Sequence, residues 1–433
     1  MNAIAQTLET IVEAGTGVCT WENLDVHQQA HILSALATQP PRCIVYPHTP
    51  EELAEVMTLA HREQWRVLPC GSGSKLGWGG LVEGAEVVVS TQRLNRLIEH
   101  AVGDLTVTVE AGCKFSHLQQ TLKAANQFLA IDPPYPEAAT IGGILATSVT
   151  GSLRHGYGGI RDMVLGISLV RADGQTAKAG GRVVKNVAGY DLMKLFTGSY
   201  GTLGTLSQVT LRVYPLPMAS TTVLLTGEAE ALAQASKILL ASTLTPTAAD
   251  LLSASLMANL GGDRQLGLLT RFESVEASVQ EQAARVQEIG QQLGLQSIHY
   301  SQPDEAALWQ KLQNLMWSPG ENRLPTCRIG VLPSNAIALL QQLETEMGLI
   351  HAGSGLGSVR FDSLAVKPET ILAMRSYCQT FGGFLTLLEA PITLKQQLDV
   401  WGYSGNALDL MRKIKQQFDP KNLLSPHRFV GGI

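Results

Sequence analysis

At 433 residues, with 45% hydrophobic side chains, the chain is too long for one hydrophobic core, so at least two domains are expected. A formal net charge of -5, with no local block of basic residues, gives no attraction for nucleic-acid phosphates and excludes nucleic acid as an expected partner. There is no run of about eighteen apolar residues, and Met1 to Glu9 lacks the charged and apolar regions of a signal peptide, so a cytoplasmic chain is expected, with membrane association only through a partner. The six cysteines, Cys19, Cys43, Cys70, Cys113, Cys327 and Cys378, are scattered with no Cys-x-x-Cys pair. Iron–sulfur clusters and structural zinc need grouped ligands, so the chain is expected to carry neither, and no metal.

In chain order, a polar helical lead-in over residues 1–36 precedes Ile44-Val45-Tyr46-Pro47, which reads as a strand. Thr49, Pro50 and Glu52 supply an N-cap, a first-turn proline and the acidic partner of a capping box, which predicts a helix over 50–64. Arg66-Val67-Leu68-Pro69 then runs into a glycine loop, Cys70-Gly71-Ser72-Gly73-Ser74-Lys75, followed by the apolar strand Glu86 to Ser90. The pattern is a βαβ unit delivering a phosphate-binding turn. Walker A spacing is absent, because Lys75 follows Ser74 and precedes Leu76; the Rossmann fingerprint fails because Leu76 stands where its third glycine would be. What remains is a concave nest of N–H groups from Gly71 to Lys75 that suits a pyrophosphate.

Two further glycine-dense loops follow, Thr140-Ile141-Gly142-Gly143 and Gly198-Ser199-Tyr200-Gly201-Thr202-Leu203-Gly204. Glycine allows positive φ and has no Cβ to hold a ligand away from the backbone, so three such loops beside strands point to one extended phosphate-bearing ligand. Leu105, Val107 and Val109, and later Val209, Leu211 and Val213, alternate as half-buried strands. Tyr214-Pro215-Leu216-Pro217 reads as a hinge, since closely spaced prolines end a strand ladder. Beyond it, strand-like pieces at 223–225, 266–269, 328–332, 359–361 and 384–388 alternate with helical stretches near 228–242, 274–293, 303–317, 334–347 and 367–381, which suggests a sheet with helices on one face. A last helix near 404–418 leads into Asp419-Pro420 and a tail through Ser425-Pro426-His427-Arg428-Phe429.

These segments resemble the flavin domain of the vanillyl-alcohol oxidase / p-cresol methylhydroxylase superfamily and, within it, the FAD-binding subunits of glycolate oxidase. The resemblance rests on Pro69 to Lys75, on Pro133-Pro134 with Thr140 to Thr147 and Gly151, on Gly198 to Gly204, and on the intervening Tyr157 to Gly166, Asp173-Gly174 and Lys185 to Leu192. It implies an α+β fold: a two-part FAD-binding domain of the p-cresol methylhydroxylase type over 37–217, an α+β cap over 218–400, and a C-terminal helix and tail over 401–433 returning to the flavin domain. The implied FAD contacts are Cys70, Gly71, Ser72, Gly73, Ser74, Lys75, Pro133, Thr140, Gly142, Gly143, Ala146, Thr147, Gly151, Gly201, Gly204 and Leu206. Relatives that tether the flavin use a histidine in the first loop or a cysteine in the second; here only His155, read as a solvent or loop histidine, is available, so FAD is expected to bind non-covalently.

Two departures bear on catalysis. Hydroxy-acid dehydrogenases of the superfamily carry His-x-Gly-Asp-Gly-Asn-x-His, whereas this chain reads His351-Ala352-Gly353-Ser354-Gly355-Leu356-Gly357-Ser358, a glycine turn between a helix and a strand. Tyr200 stands where the third loop often has glutamate, and tyrosine carries no charge at neutral pH. His351 remains a catalytic candidate, and Arg328, Arg360 and Arg375 are candidates for gripping a substrate carboxylate through the bidentate guanidinium fork. The expectation is therefore a flavoprotein subunit of a glycolate-type 2-hydroxy-acid oxidase or dehydrogenase, working beside a homologous flavoprotein subunit and an iron–sulfur subunit. The alternatives are a self-sufficient FAD-dependent oxidoreductase acting on another hydroxy acid or alcohol, and a scaffold whose flavin is structural.

Overall fold

The computed structural model describes residues 3–13, 15–181, 189–318 and 323–433. Lys185 to Ala188, part of one stretch of the resemblance, lie outside them. The chain divides into two compact units: residues 1–149, 159–215 and 403–433 form the first, and 150–158 with 216–402 the second. Thr150–Gly158, kept in the flavin-binding segment by the sequence reading, groups with the second unit.

In the first unit, β1 (Val18–Thr20), β2 (Cys43–Val45), β3 (Val67–Cys70) and β4 (Val87–Ser90) form a sheet in the order β1-β2-β4-β3, with β4 parallel to both β2 and β3. The crossover helix Pro50–Glu63 starts where the sequence predicts: Thr49 Oγ1 accepts the Glu52 N–H at 3.1 Å. The reciprocal half of the capping box shifts by one residue, Glu52 accepting from His48 N at 2.7 Å. The crossover skips a strand, because β4 lies between β2 and β3. That central place explains why β4 is buried on both faces, Val87 and Val89 packing on the helix side and Val88 with Ile44 and Leu68 on the other.

The rest of this unit is built from β5 (Leu97–Ala101), β6 (Thr106–Glu110), β7 (Gln127–Phe128), β8 (Val164–Val170), β9 (Thr176–Gly180), β10 (Thr205–Arg212) and β11 (Tyr214–Pro215). Five of these form an antiparallel sheet, β5-β6-β10-β8-β9, while β11 pairs with β7. The C-terminal helix Leu408–Phe418 and its tail belong to the same unit. Val67 N donates to Leu423 O at 2.7 Å and Ser425 N to Val67 O at 2.9 Å, so the tail runs along β3 at the foot of the first glycine loop.

In the second unit, β12 (Ala219–Gly227), β13 (Ala248–Leu252), β14 (Leu266–Ser274), β15 (Gln296–Tyr300), β16 (Thr326–Gly330), β17 (Met347–His351), β18 (Leu356–Arg360) and β19 (Phe384–Glu389) form one antiparallel sheet, ordered β15-β12-β14-β13-β17-β18-β16-β19. Helices cover both faces, not one as expected. Val223, Leu225 and Leu251 point into a core with helices 229–241, 276–292, 336–341 and 368–380; Leu224, Leu252 and Leu269 point into a second core with helices 254–260 and 304–316. The period-two alternation of a strand makes this possible, successive side chains feeding opposite cores.

Candidate functional site

The three glycine loops meet in the first unit. Gly71 lies so close to Thr140 that a Cβ added to it would sit 2.1 Å from Thr140 Oγ1, and the Ser72 hydroxyl donates to Ala138 O. Gly142 N donates to Ala111 O at 2.7 Å, while Gly198 N and Tyr200 N donate to Leu145 O and Ala146 O, both at 2.9 Å. The Ser72 bond ties the first loop to the segment that leads into the second, the Gly142 bond ties the second to Ala111, and the bonds from Gly198 and Tyr200 tie the third loop to the helix that follows the second. Gly73 (φ +80°) and Gly201 (φ +75°) adopt the left-handed conformation that favours glycine.

Between the loops lies an open cleft with a free volume of about 690 Å³. Every cofactor contact expected from the sequence lines it except Pro133 and Gly151. Gly151 falls in the segment that groups with the second unit. The wall also holds residues the sequence reading did not select, among them Thr91, Ala111, Tyr200 and Arg428. The loop bases are held from behind, Ser90 Oγ donating to Gly71 O at 2.9 Å and Thr91 Oγ1 to Cys70 O at 3.2 Å. Thr91 follows a strand with no glycine to mark it. Arg428 is distant in sequence, and the only signal for it is the run Ser425 to Phe429 after a helix-ending Asp-Pro.

The charge on this wall is one-sided. Lys75 and Arg428 are both buried and line the cleft, and among the described residues no aspartate or glutamate does. Burial pushes the Arg428 guanidinium down to about 10, against the opposing pull of Tyr200 and Cys70, so it stays charged at neutral pH. Burial pushes the Cys70 thiol up to about 11, leaving it neutral and a poor nucleophile. Glycine-lined backbone, hydroxyl groups and two basic side chains without a carboxylate fit a ligand with a diphosphate.

The catalytic candidates lie elsewhere, in the second unit. His351 ends β17 opposite Asp250 of β13, and its Nδ1 is 2.6 Å from Asp250 Oδ1, both side chains buried. It is thus at the end of a strand, and the helix expected over 334–347 stops at Gln341. His155, expected in solvent, is half-buried and packs against Gly353; burial holds its pKa below the usual histidine range, with Asp250 pulling it up and His351 down. The three arginines are spread over β16, β18 and the helix Pro368–Thr380. Arg360 donates to Leu315 O, and Arg375 donates to Leu385 O at 3.1 Å and Asp399 O at 2.7 Å. Both are buried, and Arg375 in particular acts as a bracket for its own chain. Among the described residues no group of three or more His, Cys, Asp or Glu side chains is placed to hold a metal ion.

Fold and cleft together define a flavoprotein with an FAD-binding domain of the p-cresol methylhydroxylase type. Residues 41–180 match the family model described as FAD binding domain, and residues 396–429 that of FAD linked oxidases, C-terminal domain. The chain thus carries an FAD-binding domain of this type together with a C-terminal segment of the FAD-linked oxidases, and is an FAD-dependent oxidoreductase. Among curated proteins it is similar to glycolate oxidase subunit GlcD of Bacillus subtilis, 24% identical over 94% of this chain and 93% of that one. It is also similar to glycolate oxidase subunit GlcE of Escherichia coli, 36% identical over 39% of this chain and 48% of that one. Among solved structures, p-cresol methylhydroxylase covers 98% of this chain and 96% of its own at a TM-score of 0.77; at 14% identity this shows the shared fold.

Proposed function

We propose that the chain holds FAD non-covalently in the cleft between the three glycine loops and serves as the flavoprotein subunit of a glycolate-type 2-hydroxy-acid oxidase or dehydrogenase complex. The observation that carries this reading is the cleft itself: glycine loops hydrogen-bonded to the segments around them, two basic side chains on the wall and no carboxylate there among the described residues. When bound, the flavin would supply the redox chemistry. The chain's contribution is to bind and orient the cofactor, to keep the neutral Cys70 thiol beside it unreactive, and to set the charge around it.

Two lines support a place within a complex. Similarity extends to proteins named as two different glycolate oxidase subunits. The turn that begins at His351 also lacks the aspartate, asparagine and second histidine of the superfamily's hydroxy-acid motif, and the Nδ1 of His351 is engaged by Asp250. Substrate oxidation then falls to a homologous flavoprotein subunit that keeps the motif, and an iron–sulfur subunit receives the electrons. No helix among the described residues is long and apolar enough to cross a membrane, which suits a cytoplasmic subunit attached to a membrane only through partners. A self-sufficient dehydrogenase is the second reading, favoured by similarity over most of the chain to D-lactate dehydrogenase [cytochrome] of Arabidopsis thaliana and to D-2-hydroxyglutarate dehydrogenase of Xanthomonas citri, at 25% and 26% identity.

Turnover with an artificial dye acceptor separates the two. The pure, FAD-loaded chain is expected to oxidise glycolate or D-lactate at under a hundredth of the rate of the assembly copurified from its native source. Equal rates per flavin would establish the self-sufficient enzyme, with Arg328, Arg360 and Arg375 the first positions to mutate.

A further inference from the structure

β15 is the outermost strand of the second unit's sheet and pairs with β12 on one side. Among the described residues no strand lies on its other side, and Gln296 to His299 are exposed. Such an edge presents unpaired backbone N–H and C=O groups, and proteins guard it with charge, bulges, short strands or a covering segment. Among the described residues the other sheet edges are guarded in these ways. β1 has three residues, and β7 and β11 have two each. A bulge after Leu97 breaks β5, and β9 carries the exposed Lys178. The tail covers β3 through the bond from Val67 N to Leu423 O, and residue 400 covers β19 through the bond from Leu387 N to Val400 O at 2.8 Å.

β15 has none of these guards. No Asp, Glu, Lys or Arg stands between Glu288 and Asp304, in a chain where 16% of residues are charged. Its register with β12 is unbroken, from Gln296 opposite Thr226 to Tyr300 opposite Thr222. Ile298, at the middle, is 47% exposed and lies opposite Leu224, which belongs to the core shared with helices 254–260 and 304–316. The neutrality of this edge points to its occupant. A partner strand bearing charges finds nothing here to complement, whereas the strand's own copy, which would set any charge near its like across a two-fold axis, meets no repulsion.

We propose that β15 is a docking edge for a second copy of this chain, the two strands pairing antiparallel about a two-fold axis through Ile298. Side chains alternate between the faces of a sheet, so a two-fold axis perpendicular to it pairs only positions on the same face. Of the registers this allows, the one centred on Ile298 uses all five residues of the strand: Ile298 faces its own copy, Ser297 faces the partner's His299, and Gln296 faces the partner's Tyr300. The pair of isoleucines extends the apolar row that Leu224 begins, and two eight-stranded sheets become one continuous sheet. The pairing involves the second unit alone and does not depend on FAD occupying the cleft.

The test is sedimentation velocity on the full chain at micromolar concentration, for the wild type and Ile298→Lys, with far-UV circular dichroism on both. The wild type is expected at twice the 46.5 kDa of a single chain. Ile298→Lys, which sets two ammonium groups opposite each other, is expected at the single-chain mass with an unchanged spectrum. A monomeric wild type would overturn the proposal and leave the edge to a different subunit, and a dimeric Ile298→Lys would overturn it by placing the contact on another surface. If Ile298→Lys misfolds, cross-linking decides. Ile298→Cys treated with a short bis-maleimide is expected to give a several-fold excess of covalent dimer over the wild type, and equal yields would refute the pairing.

Discussion

Replacing Gly143 by tryptophan is expected to lower the flavin content of the purified protein at least tenfold while leaving the fold intact. Gly143 lies on the wall of the cleft, and among the described residues, its own helix backbone and chain neighbours aside, its missing Cβ would meet Thr140 Oγ1 alone, at 3.0 Å. Beyond that contact is the space proposed for FAD, which an indole of roughly 150–250 Å² would occupy. The neighbouring Gly142 makes a poorer test, because a Cβ there would meet Ala111 Cβ at 2.8 Å and Ala111 O at 2.9 Å and would disturb the sheet before it reached the ligand. The measurement is flavin absorbance per mole of protein, paired with far-UV circular dichroism. Full flavin content with an unchanged spectrum would mean that the loops are ordinary turns.

The second large effect is expected at Asp419, a carboxylate 2% exposed just after the last long helix. Lys415 Nζ meets Asp419 Oδ2 at 2.6 Å and also donates to Thr202 O at 2.9 Å and Leu424 O at 2.8 Å. Asp419 in turn accepts from Leu423 N at 3.0 Å and Leu424 N at 2.7 Å. The pair therefore joins the tail to the third glycine loop. Burial lowers the Lys415 pKa and the Asp419 charge opposes that shift, so Asp419→Ala leaves a buried ammonium without its partner. The expected cost is about 3–5 kcal/mol, the usual penalty for breaking a buried ion pair from one side. Urea unfolding followed by flavin fluorescence should show the loss. The double variant Lys415→Met with Asp419→Leu should recover much of it, because no charge is left stranded. Equal stability of Asp419→Ala and wild type would show that the pair does not hold the tail.

The glycine loops were the most legible part of the site in the sequence because they are constrained locally: Gly71 by the approach of Thr140, Gly73 and Gly201 by positive φ. The helix Pro50–Glu63 was legible for the same reason, its cap being written into Thr49, Pro50 and Glu52. Elements that depend on tertiary context were missed. The strand Ala248–Leu252 is buried at every position, so it shows no alternation, and its central Asp250 is explained only by His351 on the neighbouring strand. Gln296–Tyr300 is an edge strand whose side chains are mostly exposed and reads as a loop. Residues 336–344 carry mostly helix-forming side chains, yet the helix stops at Gln341 and the sheet takes Met347. Arg428 was missed because a buried cation at a cofactor site has no local signature; only the return of the tail along β3 brings it there.

The most direct test of the account is the cofactor itself. The protein should purify yellow, with close to one FAD per chain, and acid precipitation should leave a white pellet and free FAD in the supernatant, because no nucleophile on the cleft wall tethers the ring. A yellow pellet would contradict the non-covalent site, and a colourless protein that cannot be reconstituted with FAD would contradict the account as a whole.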